Sequence, residues 1–335
     1  RLSPAVRNAL ERVYVPNHTA NTVSVIDPRT LEVVDTFKVG INPQHVVPSW
    51  DLKTLWVANN AEGRTDGSLT PIDPLTGKPG PSIPVTDPYN MYWSPDGKHA
   101  IVGAEAYKRL DFRDARTLKL QGFSVTMPYK RTIMAHLDGL DPLAKRIGAC
   151  NTVAIQKGKW LGWNTDAAAV VEVLAKRLRL AGSRILLLGA GGAGRAAAYA
   201  LSDEGAELLI SDGQSALAQR LAKLVSAQFL PWDAFDNLDV DAVINATPVG
   251  MLPHAEATPI DLSRLRARVV FDLVYFPLET RLLAEARNRG LTAISGLEML
   301  VAQGARQFEI WTGLGAPRAL MEQAVRQALG HASPV

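Results

Sequence analysis

Ile185-Leu186-Leu187-Leu188, followed at once by Gly189-Ala190-Gly191-Gly192-Ala193-Gly194-Arg195-Ala196, is the stretch that decides the fold. The apolar run reads as a strand, and the alanine-rich sequence after the glycines reads as a helix. Between them Gly189 allows a tight turn, Gly191 lets backbone come close to a pyrophosphate, and Gly194 lets helix and strand pack closely. Free N–H groups at the helix start would hold the phosphates. A second strand, Glu207 to Ser211, ends in an acid, Asp212, suited to ribose hydroxyls. Glycine turns end many strands, so the ordered set carries the reading. It predicts a dinucleotide site built from Gly189, Gly191, Gly192, Ala193, Gly194 and Asp212.

The bulk composition excludes several classes. The 335 residues are 47% hydrophobic and 21% charged, ordinary for a globular chain of two or three domains. A net charge of +3 without a basic run gives no ground for nucleic-acid binding. The single cysteine, Cys150, rules out an internal disulfide and a Cys-rich metal site. No apolar stretch reaches membrane-spanning length and no export signal is visible, so a cytoplasmic protein without membrane contact is expected. Oligomeric state leaves no mark in the sequence.

Texture changes near residue 121. Between Glu11 and Gln121, short β-branched and aromatic runs are cut by Asp-Pro, Asn and Gly turns. The pattern around Val15 and Asp27 recurs around Val57 and Asp73, and again around Val102 and Asp114. A period of roughly forty to forty-five residues is that of a propeller blade. These residues resemble YVTN-type β-propeller repeats. About two and a half blades are present, where closed rings use about four to eight. Trp50, Trp56 and Trp93 read as blade core, and His18, His45 and His99 are too scattered for a metal site.

From Gly122 the chain turns α/β. Strands at Arg184 to Gly189, Glu207 to Ser211, Asp241 to Thr247 and Arg268 to Tyr275 alternate with helices at Ala193 to Leu201 and Ser215 to Val225. Further helices are expected from Leu297 to Ile310 and Pro317 to Leu329. The alternation predicts a doubly wound parallel sheet.

Candidate chemistry lies mostly before that sheet, in the segments at 122–130, 148–152 and 162–166. Oxidation at a hydroxyl-bearing carbon needs a group to take the hydroxyl proton. A lysine amine oriented by a carboxylate can do so. Lys130 and Asp166 are the pair of choice, although spacing alone leaves them free to be unrelated surface charges.

Seven motifs then occur in the order found in the shikimate dehydrogenase family: VTMPYK, GACNTV, GWNTD, GAGGAGRA, NATPVGM, VYFPLETRLL and GLEMLVAQGARQFEIWTG. The resemblance runs from about Gly122 to Leu329. It implies reversible reduction of 3-dehydroshikimate, or a relative such as 3-dehydroquinate, by a nicotinamide cofactor. It further implies that Lys130 moves the proton with Asp166 as partner, and that Thr126, Asn151, Tyr275 and Gln303 bind ring hydroxyls or carboxylate. Asn245, Thr247, Gly296 and Met299 would border the adenosine or nicotinamide end. Domain limits follow: 166–296 for the dinucleotide domain, and 122–165 with 297–330 for a truncated α/β substrate domain. Residues 11–121 form the all-β partial propeller.

Two departures from the family stand out. Where NADP-using members carry an Asn-Arg-Thr-like stretch, this chain has Ser211-Asp212-Gly213-Gln214. A carboxylate there would repel a 2′-phosphate, so NAD is the expected cofactor, with NADP as the alternative. The usual N-terminal half of the substrate domain, with its Ser-x-Ser-Pro motif, is largely replaced. Ser3 and Pro4 match the end of that motif, making residues 1–10 a candidate remnant with Ser3 toward the substrate carboxylate. The strands carrying Thr126 and Lys130 are then expected to be short of partners, leaving that half disordered, aggregation-prone or rebuilt by blade strands. A chimeric origin follows. The competing reading is a non-catalytic binding protein whose propeller strands make contacts while the dinucleotide domain is a passenger.

Overall fold

A computed structural model describes residues 3–126, 129–232 and 234–330. Arg1 and the Met127-Pro128 pair of the VTMPYK motif lie outside the described residues. The chain separates into two compact units, Arg1–Thr126 with Val153–Gly158, and Met127–Thr152 with Lys159–Val335.

The first unit is built from short antiparallel strands. β1 (Val13–Asn17), β2 (Thr22–Ile26) and β3 (Val33–Lys38) make one sheet. A second contains β4 (Pro43–Pro48), β5 (Leu55–Asn59), β6 (Ser68–Ile72) and β7 (Ile83–Pro84). A third runs through β8 (Pro88–Trp93), β9 (His99–Ala104), β10 (Arg109–Asp114) and β11 (Leu120–Ser124). The recurring aspartates perform one local task. Asp27, Asp73 and Asp114 each turn a side-chain oxygen to a backbone N–H two or three residues on, at 2.9, 2.8 and 2.8 Å. Each also accepts, at 2.8 Å on its carbonyl, the N–H four residues ahead. These are Asx-type turns closing successive hairpins.

Apolar residues of the second and third sheets, among them Ala58, Leu69, Met91, Ala100 and Val102, pack in one cluster, with Trp56 and Trp93 at its margin. Trp50 corrects the sequence reading. It is 54% exposed and lies against the Gly97 turn, where a side chain at 97 would strike its ring. Of the outcomes expected for the half-replaced domain, rebuilding by strands of the repeat segment matches the structure, because β11 sits between β10 and β13 (Thr152–Gln156).

In the second unit, β12 (Gly139–Leu140) pairs in parallel with β14 (Lys159–Trp163), and α1 (Pro142–Ile147) and α2 (Thr165–Ala175) adjoin them in sequence. The rest is a wound sheet. Its parts are β15 (Arg184–Leu188), α3 (Gly192–Asp203), β16 (Glu207–Ser211), α4 (Ser215–Leu224) and β17 (Gln228–Phe229). After a two-strand side pair, β18 (Leu238–Asp239) with β20 (Leu265–Arg266), come β19 (Ala242–Asn245) and β21 (Val269–Asp272). α5 (Arg281–Asn288), β22 (Thr292–Ile294), α6 (Gly296–Thr312) and α7 (Arg318–Gly330) complete it.

The sheet order is β17-β16-β15-β19-β21-β22, and every pairing is parallel. Alternate residues of β15 enter different cores. Ile185 and Leu187 join helices α2 and α3 on one face, while Leu186 and Leu188 join Phe235 and Leu282 on the other. A parallel sheet covered on both faces needs such unbroken apolar strands. The strand order reverses between β15 and β19, which puts the glycine-rich turn at the crevice where wound sheets bind ligands. Among the described residues no helix is long and apolar enough to cross a membrane.

Candidate functional site

Three sequence motifs meet through their backbones. The carbonyl of Lys130 accepts the Cys150 N–H at 2.7 Å, and the Asn151 N–H donates to the Trp163 carbonyl at 3.0 Å. Asn164 caps α2 by accepting the Ala167 N–H at 3.2 Å, while its amide donates to the Ala149 carbonyl at 3.0 Å. Asp166 therefore falls in the first turn of α2, where the helix dipole favours a carboxylate.

There Lys130 Nζ meets Asp166 Oδ2 at 2.6 Å, with the two side chains only 17% and 5% exposed. Asn151 Nδ2 donates to Asp166 Oδ1 at 2.8 Å and to Thr165 Oγ1 at 2.9 Å. Its Oδ1 accepts from the Thr165 N–H at 2.9 Å and from Thr152 Oγ1 at 2.7 Å. The carboxylate is thus held by an ammonium and an amide and shielded from water, which strengthens both bonds.

The glycine turn adjoins this pair. A Cβ added to Gly192 would lie 3.9 Å from Lys130 Cδ. Gly189 has φ +103°, and a side chain there would come within 2.8 Å of the Ala246 carbonyl. Gly194 is required even more strictly, because its Cβ would be 2.0 Å from the Gly189 oxygen. At Gly191, by contrast, a Cβ would meet nothing within 4 Å. Gly191 begins α3 with no side-chain cap, so the helix start faces open space with its N–H donors. Asp212 Oδ2 accepts the Ala190 N–H and Oδ1 the Gln214 N–H, each at 2.7 Å. Space, donors and acid together fit a dinucleotide.

Other expected residues have varied surroundings. Asn245 is fully buried, donating to Asp272 Oδ1 at 2.9 Å and accepting from the Thr247 N–H and hydroxyl. Gly296 opens α6, and its bare Cα permits approach to the Leu273 and Val274 carbonyls. Met299 is core, Tyr275 is 46% exposed, and Gln303 donates to the Leu300 carbonyl of its own helix. Thr126 and Ser3 belong to the first unit, where Ser3 Oγ accepts the Ala5 N–H at 3.3 Å.

Sequence reasoning missed Thr152, Asn164, Thr165, Asp272 and Gln307. Asn164 ahead of an apolar periodic run is a recognisable helix cap. Gln307 lies one turn beyond Gln303, on the same helix face. Asp272 gave no signal. It is fully buried, accepts bonds from Asn245, the Val274 N–H and Thr280, and burial pushes its carboxyl up to about 6. Cys150 is likewise buried, and loss of solvation pushes its thiol up to about 11.

Known proteins resemble much of this chain. The model of the shikimate dehydrogenase substrate-binding domain matches residues 101–153, and that of the shikimate 5′-dehydrogenase C-terminal domain matches residues 296–326. The first match begins within β9, further back than the motif-based start at Gly122. Shikimate dehydrogenase (NADP(+)) from Shouchella clausii is 42% identical over 226 residues, 64% of this chain and 82% of that protein. The Thermus thermophilus shikimate 5-dehydrogenase crystallised with NADP(H) and shikimate is 40% identical. That likeness covers 64% of this chain and 80% of the other, with a TM-score of 0.59. A 5-ketofructose reductase from Gluconobacter is 34% identical, with a TM-score of 0.57, over 62% of this chain and 79% of its own. With motifs, wound sheet and relatives in agreement, the chain belongs to the shikimate dehydrogenase family of oxidoreductases.

Proposed function

We propose that this enzyme interconverts a cyclic hydroxy acid of the shikimate or quinate class with its ketone, using a nicotinamide dinucleotide. The observation that carries the proposal is the shielded 2.6 Å pair of Lys130 and Asp166, adjoining the glycine turn. A bound nicotinamide supplies or accepts the hydride. In oxidation Lys130, as the neutral amine, takes the proton from the alcohol oxygen and becomes the ammonium; in reduction the ammonium returns that proton. Asp166 aims the amine and accepts a hydrogen bond from the same hydroxyl. Asn151, Tyr275 and Gln303 bind the ring hydroxyls and carboxylate. Gly189, Gly191, Gly192, Ala193 and Gly194 carry the pyrophosphate, while Asn245, Thr247, Gly296 and Met299 border the two ends of the cofactor.

NAD preference is part of the proposal, and it would separate this chain from relatives named for NADP(+). It rests on Asp212, whose carboxylate is braced against the glycine turn where a 2′-phosphate would need a cation. Domain 166–296 is assigned to the cofactor, and 122–165 with 297–330 to the substrate. Residues 11–121 are read as incomplete propeller blades, supported by the thrice-repeated Asp turn, and joined to the dehydrogenase as a chimera. A cytoplasmic location belongs to the same reading.

Initial rates with shikimate, quinate and a keto-sugar, each with NAD(H) and NADP(H), test this. Turnover of shikimate or quinate with NAD favoured upholds it, and an NADP advantage removes the cofactor part. Turnover of the keto-sugar alone would align the chain instead with the Gluconobacter 5-ketofructose reductase. Cofactor binding with no turnover of any substrate would favour the passenger-domain reading.

A further inference from the structure

Gln307 lies in the middle of α6, 7% exposed, and turns its amide toward the segment that carries Asn151. Its Nε2 donates to the Asn151 carbonyl and to Thr152 Oγ1, each at 3.1 Å. A hydroxyl has one hydrogen. Because Thr152 accepts from Gln307, that hydrogen is directed to Asn151 Oδ1, 2.7 Å away. The two ends of an amide have nearly the same shape, so its orientation is decided only by its partners. Thr165 Oγ1 lies 2.9 Å from Asn151 Nδ2 and 3.2 Å from Oδ1, and can serve either end. The Thr165 N–H and the Thr152 hydroxyl are both donors, and they keep the oxygen end away from Asp166. The NH2 end then faces Asp166 Oδ1. Reversed, two acceptor oxygens would face each other across that gap.

We infer that Gln307 is a positioning residue: through Thr152 it sets the Asn151 amide, and through that amide it sets the Lys130–Asp166 pair. The inference rests on the catalytic reading of that pair. It makes α6 a support for the reacting geometry as well as a packing element. All five side chains are buried or nearly so, and their bonds form one unbroken path.

Two substitutions separate positioning from bulk. Gln307→Met keeps length and removes the donor. Gln307→Glu sets an acceptor against the Asn151 carbonyl and draws the Thr152 hydrogen away from Asn151. The expected result is a kcat lower by about tenfold in the Met variant and by more in the Glu variant. Cofactor Kd should stay within about twofold, and the fall in kcat should exceed any rise in substrate KM. A loss of that size corresponds to a displacement well under the 1 Å that costs roughly a hundredfold. Hydrogen exchange of the Asn151 side-chain amide, followed by NMR, gives a readout that needs no turnover. Exchange should quicken in both variants and in Thr152→Val, which leaves α6 untouched. Unchanged exchange overturns the inference, and so does a loss confined to KM. Wild-type protein inactive on every substrate would instead remove the catalytic reading, with the exchange result still judging the path.

Discussion

Replacing Lys130 with methionine keeps the stem and removes the ammonium, leaving Asp166 with Asn151 as its hydrogen-bond donor. The carboxylate is 5% exposed, so water cannot take over the lost partner. Breaking one side of a buried ion pair costs about 3–5 kcal/mol. The retained Asn151 bond puts this case near the lower end, about 3 kcal/mol. For a unit of this size that is a Tm lower by roughly 6–12 °C. Lys130→Met with Asp166→Asn removes both charges and should regain most of that Tm. Neither variant should regain turnover, because the proton acceptor is gone, and a kcat loss of about 10²–10⁴ is expected. The Arg146–Asp203 pair is the control. At 54% and 43% exposed it is screened by water, and Arg146→Ala should change stability by no more than about 1 kcal/mol. Thermal unfolding and initial rates on the four proteins complete the experiment. If the single and double variants melt together, or if Lys130→Met keeps kcat within tenfold of wild type, the reasoning fails.

The glycine turn separates two effects by position. Gly194→Ala should unsettle the turn itself, with lower Tm and no cofactor binding, since its Cβ would be 2.0 Å from the Gly189 oxygen. Gly191→Ala, whose Cβ meets only open space, should fold normally and lose cofactor affinity, and calorimetry finding both unaltered would count against a pyrophosphate there. Asp272 carries a pH signature. Its folded pKa of about 6 lies above the ordinary 3.8, so its protonated form favours folding, and that advantage fades as pH rises through about 6. The difference is about 3 kcal/mol. Asp272→Asn keeps the acceptor for Asn245 and the Val274 N–H, so its Tm relative to wild type should climb between pH 4 and 6 and then level off. A gap independent of pH would disprove it. Cys150, buried with its thiol pushed up to about 11, should resist iodoacetamide in the folded protein at neutral pH and react on unfolding. Labelling at equal rates in both states would show the burial to be wrong.

Much of the second unit was legible because its signals are local. Four apolar residues before a glycine turn can hardly be anything but a strand entering a helix, and β15 and α3 lie where those residues put them. The strands expected at 241–247 and 268–275 are shorter, because Thr247 and Tyr275 already belong to the loops that leave the sheet. Trp50 misled because an aromatic in a strand-rich segment resembles core, and composition cannot register that a bare glycine turn leaves room for it at the surface. Gln307 was silent for the opposite reason: its partners at 151 and 152 are distant in sequence.

Amino-acid order by itself determined the wound sheet, the glycine turn, the Asp turns of the first unit and the family to which the chain belongs. Each of these depends on residues close in sequence, or on motif order, so it can be read before any contact forms. Only the tertiary structure decided that Lys130 and Asp166 meet, that Asn151 joins them, and that Thr152 and Gln307 hold Asn151 in turn. Those facts arise when separate segments close on one another. A charge becomes a partner only after burial has removed water as the competing one.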